Sequence, residues 1–212
     1  MSNAKQIDQL LEGFLKRGLP GCGLKVVQYG NTLYEGYFGV TDIDTKTPVT
    51  KDTLFRQASM SKIPLYTVMM MLYERGKFLL TDPIGDYLPE WKTSTRYDRH
   101  PNGYVDIVPT SRPINIRDVM SMKCGLPYCN SAAPTHDLVM TGMQECMQPL
   151  WEKGSYTLKE HLSAMSKAPL ACDPGTHWIY GFSSELAAGI IEAVCDKPVN
   201  DVFKEMLFDP LA

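Results

Sequence analysis

Phe55-Arg56-Gln57-Ala58-Ser59-Met60-Ser61-Lys62-Ile63-Pro64 feeds a polar loop into the apolar run Ile63–Tyr73 and sets a hydroxyl and an amine three residues apart, at Ser59 and Lys62. On a helix, residues i and i+3 share a face, so Ser59 Oγ and Lys62 Nζ can meet. A serine hydroxyl is a poor nucleophile until a nearby base takes its proton. A neutral lysine is such a base if its surroundings lower its pKa toward working pH. The spacing alone does not decide the matter. Ser2-Asn3-Ala4-Lys5 has it too, at a polar terminus where nothing suggests catalysis, and Ser2-Asn3-Ala4 reads as a cloning remnant without function. The surroundings of Ser59 have to carry the weight.

Working outward, the residues on either side of this stretch alternate helical and extended patterns. Lys5–Lys16 places Ile7, Leu10, Leu11, Phe14 and Leu15 on one stripe, closed by Gly18 and Pro20, which predicts a helix. Leu24–Tyr29 and Thr32–Phe38 read as two strands joined by a turn at Gly30-Asn31, and Gly39–Lys51 as a surface loop. Ser59–Arg75 reads as a long helix, with Pro64 tolerated in its first turn and Gly76 closing it. Asp82–Trp91 is a turn-helix segment and Lys92–Arg112 a long polar loop. Ile116–Met122 is a short helix, Tyr128–Gly154 is poorly patterned, and Thr157–Lys167 is a helix with a Thr157-x-x-Glu160 capping box. Ser183–Asp196, capped by Ser183 or Ser184, and Val199–Leu207 complete the pattern.

Composition narrows the function. With 44% hydrophobic and 21% charged residues and a net charge of −3, the chain has ordinary globular chemistry and no basic run to attract nucleic acid. The run Ile63–Tyr73 is too short to span a bilayer. The polar N-terminus shows no apolar signal core, so a cytoplasmic location with reduced thiols is the expectation. Of the six cysteines, Cys124 and Cys129 are close in sequence but lack a matching second pair, and the four histidines are scattered, so no metal is expected. The twelve methionines are read as core filler.

Several segments, in order, resemble one family: Gly18-Leu19-Pro20-Gly21, Gly36-Tyr37-Phe38-Gly39, Asp52-Thr53-Leu54-Phe55-Arg56, Ala58–Lys62, Leu80-Thr81-Asp82-Pro83-Ile84, Tyr87-Leu88-Pro89-Glu90-Trp91, Arg112–Asp118, Gly125-Leu126-Pro127 and Pro174-Gly175-Thr176. Together they are similar to the serine β-lactamase-related hydrolases, which include class C β-lactamases, D-alanyl-D-alanine carboxypeptidases and family VIII carboxylesterases. The resemblance implies an α/β (α+β) β-lactamase/transpeptidase-like fold over residues 1–212. Residues 18–58 would form the hairpin and loop of the α/β part, and residues 59–212 the mainly helical part. It implies Ser59 as nucleophile, Lys62 as its base, and no cofactor. The family's Tyr-x-Asn motif aligns with Tyr180-Gly181-Phe182. Tyr180 would then relay a proton or, as a phenolate beside cationic Lys62, act as the base. A half-buried tyrosine with a hydrogen-bonded hydroxyl is its structural alternative. Phe182 cannot make the amide contact of the Asn it replaces, and Trp178–Glu185 is closer to the esterase pattern. Ester substrates are therefore expected ahead of β-lactams or D-Ala peptides. Trp178 and Phe182 are either core packing or a substrate wall. Cys124, with no partnering histidine in a recognisable context, reads as a buried, inert thiol.

The family's third element is a Lys-Ser/Thr-Gly or His-x-Gly strand. The residues after Tyr180 contain neither. The resemblance therefore implies a domain incomplete at its C-terminus, without the C-terminal strands. Such a site keeps the attacking groups but lacks one oxyanion donor, and its exposed hairpin edge suits self-association or a complementing C-terminal chain. The competing expectation is a non-catalytic binding module with a relic site.

Overall fold

The computed structural model describes residues 3–129 and 137–211, so Ser2 and His136 lie outside the described residues. The chain divides into two compact units, Met1–Ala58 and Ser59–Ala212. In the first, α1 (Asn3–Lys16) precedes a hairpin of β1 (Gly21–Gln28) and β2 (Asn31–Gly39). The Tyr34 hydroxyl of β2 donates to the Asp8 carboxylate of α1 at 2.6 Å. The hairpin turn sits one residue earlier than the sequence predicts. Gln28 pairs with Asn31, leaving Tyr29-Gly30 as the turn, with φ of 50° and 78°. Two positive φ values are what a type I′ turn demands, and this turn suits the twist of the strands it joins. The register shifts between Val26 and Val27, and no other strand pairs with either outer edge among the described residues.

The second unit is mainly helical. A 3-10 turn over Ala58–Ser61 leads into α2 (Lys62–Glu74), shorter at its start than the predicted helix. Gly76 follows the helix at φ +66°, its N–H donating to the Tyr73 carbonyl. Two 3-10 turns, Ile84–Asp86 and Pro89–Trp91, drive Ile84 and Trp91 into the interior.

The segment expected as a loop contains a hairpin, β3 (Thr95–Arg99) paired antiparallel with β4 (Val105–Pro109). Only Tyr97 of this ribbon is buried, so no run of apolar alternation announces it. Backbone bonds from Tyr97 N to Leu170 O and from Leu170 N to Thr95 O hold the ribbon to the segment before the Tyr180 loop.

α3 (Ile116–Met120) is followed by α4 (Leu138–Lys153), a helix where the sequence showed little pattern; Asp137 caps it and Pro149 lies inside it. α5 (Leu158–Met165) has the expected Thr157/Glu160 capping box. α6 (Ser183–Cys195) is capped by neither serine: its N-cap is Phe182, and both Ser183 and Ser184 are buried. α7 (Val199–Phe203) runs through a π turn, Lys204–Phe208, into a final turn. α6 is the hub, packing on α2, α3, α5 and α7, and its Leu186, Ala187, Ile190 and Ile191 are fully buried with Val68, Met69, Ile116, Met147 and Leu162. No described helix is long and apolar enough to cross a membrane.

Candidate active site

Ser59 occupies the 3-10 turn and Lys62 is the first residue of α2. Side chains at i and i+3 eclipse in a 3-10 turn, so the two are stacked. Lys62 Nζ donates to Ser59 Oγ at 3.3 Å and to the Tyr128 hydroxyl at 3.0 Å. The Tyr180 hydroxyl donates to Ser59 Oγ at 2.6 Å. The ammonium also lies over two ring faces, 5.0 Å from the Tyr180 centroid and 5.7 Å from that of Tyr128. The structure thus brings Ser59, Lys62 and Tyr180 together and adds Tyr128.

Two backbone segments place the tyrosines. Residues 122–127 run beside residues 175–182, joined by Gly175 N to Lys123 O, Ile179 N to Met122 O and Phe182 N to Leu126 O. A bridge between Pro127 and Gly181 completes the pairing. Tyr128 and Tyr180 are therefore immediate neighbours of one small joint. Gly181 is required there, because a Cβ would collide with the Leu126 carbonyl oxygen. The base of this ribbon is fixed by Asp118, which is 4% exposed. It receives Arg112 through both guanidinium nitrogens, at 2.6 and 2.9 Å, and the Asn115 amide at 2.9 Å.

The electrostatics divide the labour. Burial pulls the Lys62 pKa down, but the hydroxyls of Tyr128 and Tyr180 outweigh it, and the net shift is upward. That direction favours the charged form of Lys62. Tyr180 moves the other way: its hydrogen bond to Ser59, then Lys62, hold its pKa below the ordinary tyrosine value. A tyrosine hydroxyl that ionises early beside a fixed cation can accept a serine proton. Cys124 is fully buried and its thiol is pushed up to about 12, which makes it a poor nucleophile.

Trp178 and Phe182 occupy different environments. Trp178 is 65% exposed, its ring 6.2 Å from that of Tyr180. Phe182 is 8% exposed, wedged edge-on against Tyr128 at 4.8 Å and against His161 at 5.7 Å. Phe182 therefore backs Tyr128 from inside, where a ligand would reach it only by displacing that ring. Sequence reasoning missed Tyr128. The signal was its place directly after Gly125-Leu126-Pro127, a segment read only for its backbone. Among the described residues, no cluster of three His, Cys, Asp or Glu side chains could hold a metal ion.

Comparison with known proteins gives this geometry a context. A family model described as Beta-lactamase matches residues 7–212. Esterase EstB of Burkholderia gladioli is 24% identical over 213 residues, covering 99% of this chain and 50% of that protein. Among solved structures, EstCE1, a hydrolase with promiscuous acyltransferase activity, superposes with a TM-score of 0.79 at 23% identity, over 98% of this chain and 51% of its own. The simvastatin synthase LovD from Aspergillus terreus gives 0.77 at 21% identity, over 100% of this chain and 53% of its own. The chain spans about half the length of the curated relatives it matches, and its likeness to the two solved structures is one of fold.

Proposed function

The chain belongs to the beta-lactamase family, and from that premise we propose that it is a serine hydrolase that cleaves small esters through an acyl-enzyme. The observation that carries this reading is Ser59 Oγ held 2.6 Å from the Tyr180 hydroxyl and 3.3 Å from Lys62 Nζ. Ser59 attacks the ester carbonyl while its proton passes to the Tyr180 oxygen, whose phenolate form the Lys62 ammonium stabilises. The tetrahedral intermediate collapses, and Tyr180 returns the proton to the departing alkoxide. Water then attacks the acyl-Ser59 carbonyl, Tyr180 takes its proton, and Ser59 recovers one as the acid leaves. An alcohol entering in place of water would give acyl transfer by the same steps.

The choice of esters rests on the aromatic surroundings. Exposed Trp178 and Tyr180, with Tyr128 behind, offer apolar contact, and Phe182 stands where an amide-binding side chain would be needed for β-lactams or D-Ala peptides. The Ser59 N–H supplies one oxyanion donor. Among the described residues the outer edges of β1 and β2 have no strand partner, which supports pairing with a second copy. The second reading is a binding module with a relic site.

A fluorophosphonate probe followed by mass spectrometry separates the two. An adduct on Ser59, absent in Ser59→Ala, supports the hydrolase. No adduct, or one on another residue, leaves the binding module.

A further inference from the structure

Lys62 carries its N–H donors at the end of a long, flexible stem, and such a side chain keeps one position only where its partners fix it. Two hydrogen bonds do so here. The one to Ser59 Oγ is long, at 3.3 Å, and the one to the Tyr128 hydroxyl is shorter, at 3.0 Å. Tyr180 offers the ammonium its ring face, with the centroid 5.0 Å away, and gives its own hydroxyl proton to Ser59. Among the described residues no carboxylate forms an ion pair with Lys62. Tyr128 itself has little freedom. Its ring stands edge-on to Phe182 at 4.8 Å and to Tyr180 at 5.5 Å, and it packs against the hydrophobic core. It follows Pro127, which bridges to Gly181, so the joint that sets Tyr180 also sets Tyr128.

We propose that Tyr128 is a positioning residue, whose hydroxyl tethers the Lys62 ammonium beside Ser59 and keeps its charge turned on Tyr180. The inference rests on the role given above to Lys62. The chemistry of the anchor matters. A carboxylate would hold the ammonium firmly but would cancel the charge that the Tyr180 phenolate needs. A hydroxyl accepts the hydrogen bond without bringing a charge of its own. The energetics of Lys62 agree with the geometry. Burial is the largest influence and pulls its pKa down, the Tyr128 hydroxyl leads those that push it up, and the net direction is upward. Without the tether the stem reaches other rotamers, and Ser59 and Tyr180 lose the cation for part of the time.

The test is Tyr128→Phe, which keeps the ring against Phe182 and Tyr180 and removes only the hydroxyl. With lysine carbon-13-labelled at Cε, the Lys62 signal is identified by its loss in Lys62→Met. Its order parameter is then measured in the full chain and in Tyr128→Phe. The Lys62 stem is expected to be ordered in the unmutated chain and to fall toward the values of exposed lysines in Tyr128→Phe. An order parameter that does not change overturns the proposal, whatever the activity.

Activity gives a second arm. Fluorophosphonate labelling of Ser59 is expected to slow about 10-fold or more in Tyr128→Phe, and kcat for p-nitrophenyl butyrate to fall as much with KM unchanged. A raised KM with kcat unchanged would make Tyr128 a substrate contact and overturn the proposal. So would an order parameter that falls while labelling and kcat hold. The order parameter does not depend on turnover. If the unmutated chain forms no adduct, the hydrolase reading fails, and the order parameter alone still decides whether Tyr128 holds Lys62.

Discussion

Ser59 lies between two groups whose protons are held in opposite senses. Tyr180 releases its proton below the ordinary 10.0, and Lys62 keeps its own above the ordinary 10.5. A base must be deprotonated to act, so turnover is expected to rise as pH climbs through the lowered Tyr180 value. It is expected to fall once Lys62 loses its charge, above 10.5. Measuring kcat/KM for p-nitrophenyl butyrate against pH checks both limbs. In Tyr180→Phe the rate should drop on the order of 10²–10⁴-fold and the acid limb should vanish. A limb that survives in Tyr180→Phe would return the base to Lys62. Gly181 provides a separate test at this scale. Its missing Cβ lets the chain pass the Leu126 carbonyl, so Gly181→Ala must displace Tyr180. Displacements of about 1 Å near a reacting centre can cost on the order of 10²-fold. A comparable loss of kcat is expected, with an unchanged circular dichroism spectrum. Unaltered kcat would mean that the joint is softer than its contacts indicate.

At the scale of elements, caps separate what the sequence shows from what it hides. The Thr157/Glu160 box is legible because both partners are local, and the structure has it, with Glu160 N bonded to Thr157 Oγ1 at 3.2 Å and Thr157 N to Glu160 Oε2 at 2.8 Å. Thr157→Ala is expected to cost about 1 kcal/mol, read from the urea midpoint. Glu160 is held down to about 2, first by Lys153 and then by Thr157. Its stabilising contribution is present above the ordinary 4.5 and is lost as pH falls from there through about 2.

The start of α6 was misread for the opposite reason. Ser183 and Ser184 look like caps, but the partner that decides the matter, Leu126 O, is remote in sequence. The β3–β4 ribbon was missed because one buried tyrosine leaves no alternation to see. α4 was missed because Pro149 interrupts its pattern. The Ser59–Lys62 pair was legible from its spacing together with the segments around it, and Tyr180 from the family motif. Tyr128 was not, since its significance lies in what the pairing of residues 122–127 with 175–182 brings to Lys62.

At the scale of the molecule, the two units present different surfaces. The second closes one hydrophobic core around α6, and truncating a fully buried member such as Leu186→Ala belongs to the class of changes that cost about 2–5 kcal/mol. The first leaves Leu33 60% and Val27 52% exposed on strands whose outer edges have no strand partner among the described residues. Exposed apolar edges of this kind template further pairing. Light scattering is therefore expected to give a mass that rises with concentration above the 23.8 kDa of one chain, and Leu33→Lys is expected to reduce that rise. A constant 23.8 kDa would rule out pairing between copies. The bond between Ser59 and Tyr180 joins residues 121 positions apart. Chains are synthesised at about 5–20 residues per second, so Ser59 is made on the order of 10 s before Tyr180. Throughout that interval Ser59 is without its Tyr180 partner, and by the proposed mechanism the nascent chain carries an unactivated serine.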